Sequence, residues 1–207
     1  MTNAVRFWDR AARKYAQSPI KNEAAYQHKL ERTRAHLGPD MMLLEFGCGT
    51  GSTAIAHAPH VARITATDIS EEMLAIGREK AAAAGVTNIE FRQADVDSYQ
   101  GAPESVDMVL ALSVLHLLRD PRAAVARMSG LLKPGGRLVT STACIAEMAW
   151  YIRLALPVMR WVGYAPFVNV FASDDLHGFF TRAGLEIEEN WRPAPGEAVF
   201  IIARKPR

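Results

Sequence analysis

The sequence predicts an α/β fold: a doubly wound, seven-stranded sheet, mostly parallel with its last strand antiparallel, and helices on both faces. Two observations carry this expectation. From residue 40 onward short apolar runs alternate with helical stretches, the pattern of strands joined by crossover helices. Near the C-terminus two further segments, 185–191 and 198–203, form a hairpin-like pair around Pro193-Ala-Pro-Gly196.

The elements follow in order. Met41-Met-Leu-Leu-Glu-Phe46 reads as the first strand, and a helix begins between Gly51 and His57. Arg63–Thr67 is the second strand, after which Ser70 caps a helix running to Ala84. Glu71 and Glu72 lie in its first turn, where the helix dipole favours negative charge, and Gly85 stops it. Residues 88–93 and 106–111 are the third and fourth strands. Pro121 opens a helix that ends near Leu132, and Lys133-Pro-Gly-Gly136 reads as a turn into the fifth strand, 137–142. Ser173-Asp-Asp starts another helix, closed by Gly184. Two regions fall outside this alternation: residues 1–37, read as two helices split at Ser18-Pro19 that form an N-terminal cap, and an apolar, lid-like insertion over 143–172.

Composition narrows the functional classes. A chain of 207 residues that is 49% hydrophobic and 22% charged suits one globular domain. Its net charge of +2, with no long run of like charges, gives no reason to expect nucleic acid as a partner. Two cysteines, Cys48 and Cys144, exclude a disulfide scaffold and point to a reducing compartment. With no signal-like N-terminus and no spanning apolar stretch, a cytoplasmic location is expected. No His, Asp or Glu cluster has metal-ligand spacing, so no metal is expected.

The chemistry concentrates in Leu44-Glu45-Phe46-Gly47-Cys48-Gly49-Thr50-Gly51-Ser52, at the exit of the first strand. Three glycines at alternate positions allow a sharp turn and let a ligand lie directly on the backbone. A plain strand-to-helix turn also uses glycine, but rarely three. The dinucleotide fingerprint G-x-G-x-x-G fits poorly, because its last position falls on Ser52. About twenty residues on, Asp68 closes the second strand, where a carboxylate can accept both hydroxyls of a ribose. It could also serve as a helix-entry cap. Asp95 closes the third strand, placed to accept a hydrogen bond from an adenine amino group. In a doubly wound sheet these carboxyl ends open onto one crevice.

With these residues in place, the chain resembles a class I S-adenosylmethionine (SAM)-dependent methyltransferase, similar to the ubiquinone and menaquinone biosynthesis group. The resemblance rests on Glu45–Gly51, Asp68-Ile-Ser70, Ala94-Asp-Val96, Val106–His116 and Leu131–Leu138. It implies a Rossmann-like sheet and the cofactor SAM, with S-adenosylhomocysteine as product. By that resemblance Glu45, Gly47 and Gly49, within a loop that includes Phe46 and Cys48, hold the methionine moiety, and Gly51 supports the packing behind them. Asp68 takes the ribose, Ile69 and Met73 flank the adenine, and Asp95 and Val96 read its edge. Leu112 and Ser113 sit beneath the cofactor. Glu45 stands where many similar enzymes have Asp.

The expected reaction is methyl transfer by in-line displacement to a small, lipophilic acceptor, with the protein supplying position and desolvation. Where the acceptor carries a proton, His116 past the fourth strand, Tyr15 and Tyr26 are the candidate catalytic residues. The uncharged stretch 161–172 and the apolar 143–160 suggest an acceptor lid, with a core helix, a dimer face or membrane-surface contact as other readings. Two other function classes stand beside the methyltransferase: an NAD-dependent oxidoreductase on a related sheet, and a SAM-binding module without catalysis.

Overall fold

The computed structural model describes residues 3–149 and 166–207. Seven strands, β1 (Met42–Phe46), β2 (Arg63–Asp68), β3 (Ile89–Gln93), β4 (Val106–Leu112), β5 (Leu132–Thr142), β6 (Glu186–Trp191) and β7 (Val199–Arg204), form one sheet in the order β3-β2-β1-β4-β5-β7-β6. Strands β1 to β5 pair in parallel, and β7 runs antiparallel to both β5 and β6. The expected fold class is therefore the observed one.

The described helices are α1 (Asn3–Gln17), α2 (Glu23–Arg34), α3 (Ser52–His57), α4 (Glu71–Ala83), α5 (Pro121–Leu131) and α6 (Ser173–Arg182). Their starts follow local chemistry. The Asn22, Ser70 and Asp120 side chains accept hydrogen bonds from the backbone N–H groups of Ala25, Met73 and Ala123, satisfying donors that the first turn leaves free.

Alternation along each strand divides the core in two. Leu44, Phe46, Val109 and Ala111 face one side with Val125, Met128, Leu176 and Phe180. Leu43, Met108 and Leu110 face the other with Ala54, Ile64 and Leu74. Both faces of the central strands are buried, which explains why these strands read as continuous apolar runs.

One element departs from expectation. Lys133–Gly136 does not precede the fifth strand but is looped out within it, because β4 pairs Val106 with Leu132 and then Met108 with Arg137. Gly135 N–H donates to the Lys205 carbonyl and Lys205 N–H to the Gly136 carbonyl, so the C-terminal segment supplies the partners the ladder loses. Among the described residues no helix is long and apolar enough to cross a membrane. Residues 150–165, the middle of the insertion, lie outside the described residues.

Candidate active site

The strand order reverses between β1 and β4, and a cavity of about 520 Å³ opens at the carboxyl ends of the strands on either side of that point. Five successive strand exits contribute to it. Phe46, Gly47 and Gly49 come from the β1 exit, Asp68 and Ile69 from β2, and Ala94, Asp95 and Val96 from β3. Residues 112–114 and 116–118 come from β4, and Ala143, Ile145 and Met148 follow β5. Met73 of α4, Ala4, Trp8 and Tyr15 of α1, and Pro166–Val168 complete the described wall.

The glycine loop owes its shape to backbone that only glycine adopts freely. Gly47 and Gly51 have φ of 65° and 73°. A Cβ on Gly47 would stand 2.4 Å from Val114 Cγ2, and one on Gly51 would stand 2.9 Å from the Phe91 ring. Gly51 does not line the cavity; with Gly77 it makes room for that ring behind the loop. Gly47→Ala is expected to cost about 2–4 kcal/mol, from a left-handed residue and a side-chain clash together. In denaturant unfolding, adding Val114→Ala should recover the steric part and leave the backbone part.

Asp68 is 9% exposed and both its oxygens are engaged: Oδ2 accepts from Gly49 N–H at 2.9 Å and Oδ1 from Ser70 N–H at 2.9 Å. It therefore welds the glycine loop to the end of β2, and each oxygen keeps a further lone pair for a ligand. Burial raises its pKa against the lowering effect of these backbone donors. Ser70 Oγ donates to Asp9 Oδ1 at 2.6 Å, which docks α1 on the same corner.

Glu45 lies directly before the loop, 2% exposed, and its Oε2 is buried without a hydrogen-bond partner. Burial, then repulsion from Asp68, pushes its pKa up to about 8. An unpartnered buried carboxyl oxygen is costly, and a cationic ligand group supplies what it lacks. Asp95 Oδ1 accepts from Ser98 N–H at 2.7 Å, in a turn that presents the exposed carboxylate to the cavity. Ser113 has φ of 62°, unusual for a residue with a side chain, and its N–H donates to the Ser141 carbonyl at 2.7 Å. That bond holds the left-handed turn at the cavity floor.

Of the residues singled out from the sequence, the cavity brings together Tyr15, Phe46, Gly47, Gly49, Asp68, Ile69, Met73, Asp95, Val96, Leu112, Ser113 and His116. Glu45, Cys48, Gly51 and Tyr26 are not in its wall. Cys48 is buried, and burial raises its thiol pKa well above the ordinary range. The Tyr26 hydroxyl stands 3.4 Å from Thr53 Oγ1, outside the described cavity wall. Tyr15 reaches over Gly49, 3.6 Å from where a Cβ would be, and burial, Asp68 and Glu45 raise its pKa. His116 sits in a 3₁₀ turn, Leu115–Leu117, and burial pulls its pKa down to about 4.

Sequence reasoning missed Trp8 and Asn169. Ala4, Trp8, Ala12 and Tyr15 form an i, i+4, i+8, i+11 stripe on α1, a signal that would have found Trp8. Asn169 had none: its N–H donates to the His116 carbonyl at 2.7 Å and its Nδ2 to the Leu118 and Arg119 carbonyls. It ties the C-terminal end of the insertion to the loop that carries His116.

Fold and site together resemble those of class I SAM-dependent methyltransferases. Residues 43–136 match a family described as "Methyltransferase domain". The chain is similar to a ubiquinone biosynthesis O-methyltransferase of Serratia proteamaculans, 34% identical over 112 residues, which cover 54% of this chain and 46% of that protein. The chain thus spans about half the length of that relative. With the protein of that description from Xanthomonas euvesicatoria it shares 28% over 195 residues, covering 90% of this chain and 78% of the other. In structure it resembles a geranyl diphosphate methyltransferase solved with GPP and sinefungin, at a TM-score of 0.72 and 16% identity, covering 86% of this chain and 77% of that one. The oxidoreductase reading finds no support in these relatives.

The residues present fit SAM. Gly47 and Gly49 present bare backbone to the cavity, and the orphaned Glu45 oxygen is near enough to Asp68 for the two carboxylates to repel.

Proposed function

We propose that this protein transfers the methyl group of SAM to a small, lipophilic acceptor. The observation that carries this reading is the division of the cavity: the carboxylates Asp68 and Asp95 stand at the β2 and β3 exits, and apart from Ser113 and His116 the described wall beyond β4 and β5 is apolar. Glu45, Gly47 and Gly49 would hold the methionine portion, Asp68 the ribose hydroxyls, and Asp95 with Val96 the adenine edge, with Ile69 and Met73 against the ring. Bound SAM supplies a sulfonium methyl that passes in line to an acceptor lone pair, while the electrons of the broken C–S bond stay on sulfur. The chain contributes position and the exclusion of water. Trp8 and Tyr15, on α1, cover the cofactor end.

Leu117, Leu118, Ile145, Met148, Phe167 and Val168 support an apolar acceptor, and we read 143–172 as its lid. The ends of this segment are pinned. Ala146 N–H donates to the Phe171 carbonyl, and Glu147 bonds both Ser173 N–H and Arg192.

Incubation with methyl-labelled SAM, a lipid extract and a set of small aromatic acceptors, followed by mass analysis, tests the proposal. Label on an apolar small molecule is expected; label confined to protein or nucleic acid would overturn it. Val168→Trp should fill the acceptor end and lower turnover at least about tenfold, as misplacement of a reacting group does. Its affinity for S-adenosylhomocysteine should stay within about twofold.

A further inference from the structure

We propose that His116 acts as a hydrogen-bond donor, through Nε2–H, to an oxygen anion on the acceptor, and that the acceptor is an acidic enol or phenol already ionised before it binds. This rests on the methyltransferase reading above and names the substrate class of the same site.

The argument starts from the two ring nitrogens. Nδ1 is buried and has no hydrogen-bond partner. Nε2 is not sealed in this way, and His116 lines the cavity, so the Nε2 edge is the polar edge the cavity can reach. In a neutral imidazole one nitrogen donates and the other accepts. A stranded N–H is rarer in proteins than an under-satisfied acceptor, so the bare lone pair belongs on Nδ1 and the proton on Nε2. The ring is neutral at physiological pH, because burial lowers its pKa to about 4. A neutral ring whose cavity-facing nitrogen already carries a proton cannot take one from the acceptor there. It can only donate.

The surroundings sharpen this into selection. Among the described residues at this end of the cavity, Leu117, Leu118, Ile145, Met148, Phe167 and Val168 carry no polar side chain, so the His116 N–H among them is directional. The His116 carbonyl is held by Asn169 N–H, which fixes the turn that aims the ring. An anion in such a cavity is favoured by a sulfonium cation beside it. The step then balances without a base. The anionic oxygen forms the O–CH₃ bond, the C–S bond breaks with its pair kept by sulfur, and both products are neutral. The acceptor's proton has already gone to water, and Nε2 keeps its own.

The test uses the full chain loaded with sinefungin, whose amine supplies a cation in place of the sulfonium, and 2-hydroxy-1,4-naphthoquinone, an enol ionised at neutral pH, as the probe. Nitrogen-15 spectra of labelled histidine should show the His116 proton on Nε2 from pH 6 to 8, with the signal assigned by its loss in His116→Gln. The probe should bind the loaded protein and shift that signal, whereas naphthalene, of similar shape, should not shift it. His116→Gln, which keeps an amide N–H at about the reach of Nε2, should bind the probe within about threefold of wild type. His116→Leu should weaken it about 10- to 100-fold, the range for a hydrogen bond to a charged group.

Unchanged sinefungin affinity in both variants will show that they fold. A proton on Nδ1, equal probe affinity in His116→Leu and wild type, or no probe binding to the loaded wild type overturns the proposal and leaves the cofactor reading standing. Failure of wild type to bind sinefungin overturns both.

Discussion

Asp68→Ala is expected to lower affinity for S-adenosylhomocysteine at least about 100-fold and to destabilise the free protein by about 2–4 kcal/mol. Two losses coincide. The proposed ribose contact disappears, and the Gly49 and Ser70 N–H groups lose the carboxylate that both now use. Because Gly49 belongs to the glycine loop, the effect on binding should exceed that of removing a ribose contact alone. Asp68→Asn separates the terms: one amide oxygen can still accept from one of the two N–H groups, so stability should recover more than affinity. Calorimetric titration together with thermal unfolding would check this. Equal affinity in Asp68→Ala and wild type would remove Asp68 from the site.

The second large effect is a dependence on pH centred on Glu45. Its folded-state pKa is raised from 4.5 to about 8. A group raised in this way stabilises the fold fully below its unfolded value, and that stability is lost as pH rises through the folded one. The free protein should therefore weaken between pH 5 and pH 9, by on the order of 3–5 kcal/mol in the limit, since each pKa unit corresponds to about 1.4 kcal/mol.

A ligand ammonium reverses the preference by favouring the ionised carboxylate. Binding of S-adenosylhomocysteine at pH 7 should then release close to one proton, and affinity should climb with pH up to about 8. Calorimetry in two buffers of different ionisation enthalpy measures that proton directly. Glu45→Gln should abolish the release and remove this part of the alkaline loss of stability. Unaltered proton release in Glu45→Gln would show that another group carries the linkage.

Much of the architecture was legible from the chain because it depends on local signals. Ser70 and Pro121 act on their own helix starts, and the buried central strands announce themselves as apolar runs. The glycine loop was equally legible, since positive φ at residues 47, 49 and 51 demands that residue type. Lys133–Gly136 misled for a related reason. A Pro-Gly-Gly run signals a turn, but whether the turn precedes a strand or interrupts it depends on the distant Lys205 backbone.

The site residues divide along the same line. The strands along the chain, the glycine loop and the positions of Asp68 and Asp95 at strand ends were readable, because backbone sterics and strand alternation act within a few residues. Only the folded chain decided that Glu45 is shut away with an unpaired oxygen, that the Tyr26 hydroxyl lies beside Thr53, and that Asn169 braces the His116 turn. These facts depend on groups separated by tens of residues. Burial and hydrogen-bond partnership are properties of the assembled core, and no local pattern of residue types encodes them.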